Sequence, residues 1–204
     1  MSGILIGPAR HGTPLTLDEF INAHFEPGWR YELARGTLEV TEIPCLDHGR
    51  TVSRLVRLFV LYAESNPGVI NYQASGSDCR LRLPGMQSDR HPDQALYLDP
   101  PPGGNRPWTA WIPHLVAEVL SEGGEHRDLV EKREEYLRVG VREYWILDPK
   151  ARAFIVLRRA GDVWSDASPA ADAQYRTPLL PGLVVCVDDL FGTVIEDDAD
   201  SESL

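Results

Sequence analysis

Apolar residues recur along the chain in two periods, and the switches between them mark out its elements. Thr16-Leu17-Asp18-Glu19 has capping-box spacing, Thr followed three residues later by Glu, and predicts a short helix to about His24. Tyr31-Glu32-Leu33 and Thr37-Leu38-Glu39-Val40 flank Ala34-Arg35-Gly36 and predict a hairpin. From Asp47 to about Ser65, Val52, Leu55, Val56, Phe59, Tyr62 and Ala63 return at helical spacing, and Asn66-Pro67-Gly68 ends that helix.

Shorter periods follow. Val69 to Ala74 reads as a strand, and Cys79-Arg80-Leu81-Arg82-Leu83 alternates apolar and basic as a half-exposed strand does. Gln94 to Leu98 follows Pro92-Asp93 as another strand, and a Pro/Gly loop runs from Asp99 to Pro107. Leu115 to Leu120 is an apolar strand broken only by Glu118. A regular amphipathic helix is expected over 126–139, stopped by Gly140, and then a strand from Glu143 to Leu147. Phe154 to Arg158 and Val163 to Ser165 pair across Ala160-Gly161-Asp162, and Leu183 to Val187 is the last strand. Strands and helices interleave in a mixed α/β order around one sheet. The expected organisation is a loose lead-in over 1–15, one domain over 16–190 and an acidic, disordered tail over 191–204.

Composition narrows the class. At 204 residues, 43% hydrophobic and 25% charged, the chain is an ordinary globular one. No apolar run is long enough to span a bilayer and no signal peptide is evident, so a cytoplasmic protein without membrane association is expected. Cys45, Cys79 and Cys186 have neither zinc-knuckle nor disulfide spacing and are expected as buried free thiols. The net charge is -11, with five of the negatives at Glu196, Asp197, Asp198, Asp200 and Glu202. A chain of that sign is no general DNA coat, although a local basic groove or metal-assisted phosphate chemistry stays open. There is no GxSxG elbow for a serine hydrolase.

Glu118 is the residue that the pattern does not explain. Val116, Glu118 and Leu120 share one strand face, and a carboxylate there is costly unless paired or metal-bound. Asp93 begins a strand 25 residues earlier, so neighbouring strands would bring the two acids to one sheet edge. Two hard oxygen ligands suit Mg²⁺. A salt bridge at the sheet end explains Glu118 equally well. Lys132 and Lys150 are the only lysines among 20 basic residues. On a regular helix Lys132 shares a stripe with Leu129, Tyr136 and Val139, whereas Arg133 lies nearer the centre of the apolar arc. Periodicity alone does not choose between the two cations.

The order Pro92-Asp93, then Glu118 in an apolar strand, then a cation resembles the PD-(D/E)XK nuclease superfamily. More closely, the stretches LTLDEF, YELARGTLEV, HPDQALYL, LVAEVLS, RDLVEKREEYLRVGVREYWILDP and FIVLRR resemble the bacterial, restriction-endonuclease-like Uma-two family over roughly 15–190. The resemblance implies a restriction-endonuclease-like core, an α/β fold with a mixed sheet, flanking helices and extra β-hairpins. It implies metal-dependent hydrolysis of phosphodiester bonds in DNA, with Mg²⁺ or Mn²⁺ held by Asp93 and Glu118. It adds Glu32 to the acidic set, with a cross-strand pairing to an arginine as the alternative, and a histidine at His48, which could equally be a helix N-terminal contact. The superfamily's usual lysine would fall at Leu120, and the resemblance moves that role to Lys132. Arg80 and Arg82 are candidate phosphate contacts or a solvated strand face. Many enzymes of this fold cut as dimers, so a homodimer is expected. The competing expectation is an inactive protein of the same fold, with Glu118 and Lys132 as a structural ion pair, serving as a partner-binding module.

Overall fold

The computed structural model describes residues 4–76, 79–103, 107–170 and 173–192. In chain order its elements are β1 (Leu5–Ile6), α1 (Leu17–Ile21), β2 (His24–Phe25), β3 (Arg30–Ala34), β4 (Thr37–Thr41), α2 (Leu46–Ser65), β5 (Tyr72–Ser75), β6 (Leu81–Leu83), β7 (Ser88–Arg90), β8 (Gln94–Tyr97), β9 (Leu115–Val119), α3 (Lys132–Val139), β10 (Glu143–Asp148), β11 (Ala153–Ala160), β12 (Val163–Asp166), β13 (Gln174–Tyr175), β14 (Val185–Cys186) and α4 (Val187–Phe191). The capping box forms as its spacing requires: Thr16 Oγ1 accepts from the Glu19 N–H, and the Glu19 carboxylate accepts from the Thr16 N–H. No described helix is long and apolar enough to cross a membrane.

The central sheet has six strands in the order β12-β11-β10-β9-β8-β5, with β9 and β10 parallel and the other pairs antiparallel. Helices cover both faces. On one, Leu55, Phe59 and Tyr62 of α2 pack with Leu115, Ala117, Val119, Trp145 and Leu147. On the other, Tyr136 of α3 packs with Val116, Leu120, Tyr144 and Ile146. Burial on both sides is why β9 reads as a nearly continuous apolar run. The strand alternation holds, with Val116, Glu118 and Leu120 turned toward α3.

Several local expectations are corrected. The sheet is not alone: β4-β3-β7-β6 forms a second, four-stranded one. Its strand β7, Ser88-Asp89-Arg90, is fully buried although it contains no apolar residue, so hydrophobic periodicity could not reveal it. Residues 4–15 are not loose. β1 pairs in parallel with β2, Pro14 bridges Thr37, and Ile6 and Leu15 enter a core with Phe20, Leu33 and Leu38. The strand expected from Val69 starts at Tyr72, and Leu183 to Val187 holds only a two-residue strand before α4 begins. Cys79 is the one buried cysteine; Cys45 is exposed at the start of α2 and Cys186 is half-buried. Phe191 closes α4 against the core, while residues 193–204 of the expected tail lie outside the described residues.

The helix expected over 126–139 is not regular. Arg127–Glu131 winds as a π turn before α3. Such turns insert a residue into the helical ladder and occur often at functional sites. Lys132 directly follows the turn and is 3% exposed, while Arg133 points to solvent.

Candidate active site

Antiparallel pairing of Gln94 with Ala117 continues to place Asp93 opposite Glu118 at the end of the central sheet. The two residues clasp each other through backbone and side chain. The Val119 N–H donates to Asp93 Oδ2 at 2.9 Å, and the Asp93 N–H reaches Glu118 Oε2 at 3.4 Å. His48, in the first turn of α2, lies 3.1 Å from Asp93 Oδ2 through Nε2. Arg30 of β3 donates to Asp93 Oδ1 at 3.1 Å. Burial opposes ionisation of Asp93, but His48, Arg30 and the Val119 N–H outweigh it and hold the carboxyl below its ordinary range.

Glu118 is held from the other side. Lys132 Nζ donates to its Oε1 at 2.9 Å and the Tyr136 hydroxyl donates to the same oxygen at 2.7 Å. Lys132 also lies 3.0 Å from Asp128 Oδ1 and 3.6 Å from Glu32 Oε1. The Asp128 contact is an ion pair without hydrogen-bond alignment, and that oxygen is buried with no hydrogen-bond partner among the described residues. Burial alone would drive Lys132 toward its neutral form. Asp128, Glu118 and Glu32 reverse this and hold its ammonium charged above the usual lysine range. Glu118 bears the converse. Burial, partly offset by Lys132 and reinforced by Asp128, Asp93 and Glu32, pushes its carboxyl up to about 7.

Glu32 comes from the second sheet, in β3. Its Oε1 accepts the His91 N–H at 2.9 Å, and its Oε2 is 3.4 Å from Arg90 Nη1. Glu32 therefore makes the cross-strand arginine pairing and also faces Lys132. Burial works against its charge, yet Lys132 and Arg90 keep its carboxyl well below the usual range. The structure thus brings Glu32, His48, Asp93, Glu118 and Lys132 around one cleft of about 420 Å³. Arg80 and Arg82 are not among them. Their Nε atoms turn onto the buried Asp89, at 3.0 and 3.2 Å.

Three comparisons bear on this geometry. A family model described as "Putative restriction endonuclease", Uma2, matches residues 17–188. The chain belongs to the Uma2 family. Its fold is restriction-endonuclease-like and similar to the crystal structure of a putative nuclease belonging to DUF820 from Anabaena variabilis ATCC 29413. The identity is 20% and the TM-score 0.70, covering 87% of this chain and 98% of that one. A search of curated proteins finds no match.

Sequence reasoning missed several charged residues of this Uma2 site, Glu39 and Glu42 of the cleft lining among them. Arg30 is two before Glu32 and so shares its strand face, and Asp128 is four before Lys132 on the helix. Those spacings could have flagged both. Arg127 also lines the cleft, and Arg90 lies behind it. Arg90 carried no signal, because a buried strand of Ser, Asp and Arg has no apolar pattern.

Proposed function

We propose that this Uma2 protein is a metal-dependent endonuclease that hydrolyses phosphodiester bonds in DNA. The observation that carries the reading is a pair of adjacent buried carboxylates, Asp93 and Glu118, opening on a cleft beside a buried, charged Lys132. The donor chemistry fits a hard divalent cation. A carboxylate offers about four acceptor positions. Three are used on Asp93 and three on Glu118, so each keeps room for one more partner. The cleft is lined by six acidic side chains against three basic ones, an excess that a cation would neutralise. No group of three or more His, Cys, Asp or Glu side chains forms a closed metal cage among the described residues. Mg²⁺ does not need one, since it binds through one or two carboxylates and keeps several waters.

Asp93 and Glu118 would hold Mg²⁺, with Mn²⁺ as a substitute. Bound there, the metal supplies polarisation of a phosphate oxygen and a more acidic water. The chain's own residues do the remainder. His48 and Arg30 fix the Asp93 carboxylate in one orientation. Tyr136 and Lys132 do the same for Glu118. Lys132 stays protonated, so it acts as a donor to developing negative charge and not as a base. Arg30 and Arg127 offer cations at the cleft wall against which a phosphodiester can settle. Cutting both strands calls for two such sites, so the active species is proposed to be a homodimer, to be read by sedimentation.

The deciding experiment is plasmid nicking with Mg²⁺ or Mn²⁺, beside calorimetric titration of each metal. Nicking and metal uptake should both vanish in Glu118→Ala. If the wild type takes up neither metal and cuts no nucleic acid, Glu118 and Lys132 are a structural ion pair and the fold is a binding module.

A further inference from the structure

A second pocket shares a wall with the acid cleft. Arg30 and Glu32 line both. Its volume is about 740 Å³, larger than the cleft itself, and its chemistry is different. The floor is aromatic: Phe25 packs on Tyr31 with ring centroids 4.7 Å apart, and Phe20 packs on Phe25 at 5.0 Å. Trp29 stands at the rim, 38% exposed, on the turn that leads into β3. Nothing in the fold of β3 requires a large apolar ring in water there.

Two polar atoms in the lining point to a ligand. Tyr31 Oη and His91 Nδ1 are buried without a hydrogen-bond partner among the described residues. Buried polar atoms are normally satisfied, and those that are not are often completed by water or a bound group. The His91 imidazole nitrogen can accept or donate a hydrogen bond. Arg80 closes the pocket, with its Nε held by Asp89. A flat ring surface, hydrogen-bonding atoms without a partner among the described residues and a cation fit a nucleobase better than a lipid or a peptide. Adjacency to the acid cleft fixes where its phosphate would lie.

We propose that this pocket receives one unpaired base of a nucleic-acid strand, stacked on Trp29, while the adjoining phosphate occupies the cleft of Asp93 and Glu118. The proposal deepens the nuclease reading, on which it rests for the position of the phosphate. It makes single-stranded or unpaired DNA the preferred substrate over a regular duplex. A base inside a duplex would first have to leave its stack, at a cost of a few kcal/mol.

The test uses the full chain with EDTA, so that cleavage plays no part. Single-stranded oligodeoxynucleotides carry 2-aminopurine at successive positions, and a matching set carries an abasic site instead. The fluorescence of one position should change sharply on binding. Removing that base should weaken wild-type affinity about tenfold, the scale of one stacked base. Trp29→Ala should weaken the intact strand by a similar factor, and Trp29→Phe should restore most of it. The idea is overturned if the abasic strand binds the wild type as tightly as the intact one, or if no strand binds. The abasic comparison needs only the wild type, so a variant that folds poorly does not blur it. A protein that binds the base but cuts nothing with any metal would sink the nuclease reading and leave the pocket standing. Cutting without abasic discrimination would do the reverse.

Discussion

Two clusters of buried charge lie side by side in this protein and share Glu32. In the first, Arg90 is fully buried at the centre of four carboxylates. Its Nε and Nη2 grip Glu135 at 2.8 and 3.0 Å, its Nη1 lies 2.8 Å from Glu39 and 3.4 Å from Glu32, and Nη2 reaches Glu131 at 3.4 Å. Arg90 and Glu135 have no solvent exposure at all. In the second, Lys132 also sits among carboxylates, but the acids open on a cleft and Asp128 Oδ1 has no hydrogen-bond partner among the described residues. The first cluster is closed in that every guanidinium donor of Arg90 is spent. The second keeps unspent acceptor capacity in the wall of a cleft. Buried charge alone therefore does not mark a reactive site; unspent capacity at an opening does.

The largest effect expected from this contrast is on stability. Arg90→Met leaves the fully buried Glu135 without its main partner, and breaking such a pair costs about 3–5 kcal/mol. Urea unfolding measures it. Lys132→Met should cost less, because Glu118, already raised to about 7, can take up a proton when its partner is lost. If Lys132→Met proves the more destabilising, the closed and open clusters have been assigned the wrong way round.

Activity should invert that order. If the protein is the proposed nuclease, Lys132→Met removes a fixed positive charge next to the reacting phosphate, and the loss of one such donor lowers turnover about 10²–10³-fold. Single-turnover cleavage under saturating Mg²⁺ reads it. An Arg90 variant with enough folded protein to assay should keep most of its rate, apart from the part Glu32 transmits to Lys132.

A third effect separates acids within the open cluster. Glu118 is raised from an ordinary 4.5 to about 7, whereas Glu32 is held low. The folded protein binds the Glu118 proton more tightly than the unfolded chain does. Its stabilising contribution is therefore complete below about 4.5 and drains away as pH rises through about 7. Glu118→Gln should accordingly gain melting temperature relative to wild type between pH 5 and about 8, in EDTA. Glu32→Gln should be less stable than wild type by an amount that stays constant across that range and shrinks only as pH falls below about 4.5, because a depressed acid stabilises fully only above its unfolded value. A difference between wild type and Glu118→Gln that is flat with pH would contradict the raised assignment.

The two clusters also differ in how far the sequence exposed them. Glu118 stood out because an apolar strand made its charge anomalous, and Asp93 because Pro92 set it at a strand start. Strand alternation placed Glu118 on the α3 face correctly. Lys132 could not be separated from Arg133 by counting residues, because the π turn at Arg127–Glu131 changes the phase of the helix just before it. Arg90 and Asp89 could not be found at all. Their strand is buried by ion pairs instead of apolar contact, and periodicity reads only the latter. The β1–β2 pairing was equally hidden, since two residues are too few to show a period.

The smallest expected effect concerns Arg82, which the sequence offered as a phosphate contact. Its Nε sits 3.2 Å from Asp89, a fully buried carboxylate that Arg80 holds as well. If its task is to neutralise Asp89, Arg82→Ala should cost only about 1 kcal/mol, because Arg80 remains in place. The salt dependence of DNA affinity should then be unchanged. A phosphate contact behaves differently: its loss would lower the slope of log affinity against log salt by about one unit, across all sequences. An unchanged salt slope with a small fall in melting temperature assigns Arg82 to the closed kind of charge, with Arg90. A reduced slope assigns it to the open kind, and extends the nucleic-acid surface past the cleft and along the second sheet.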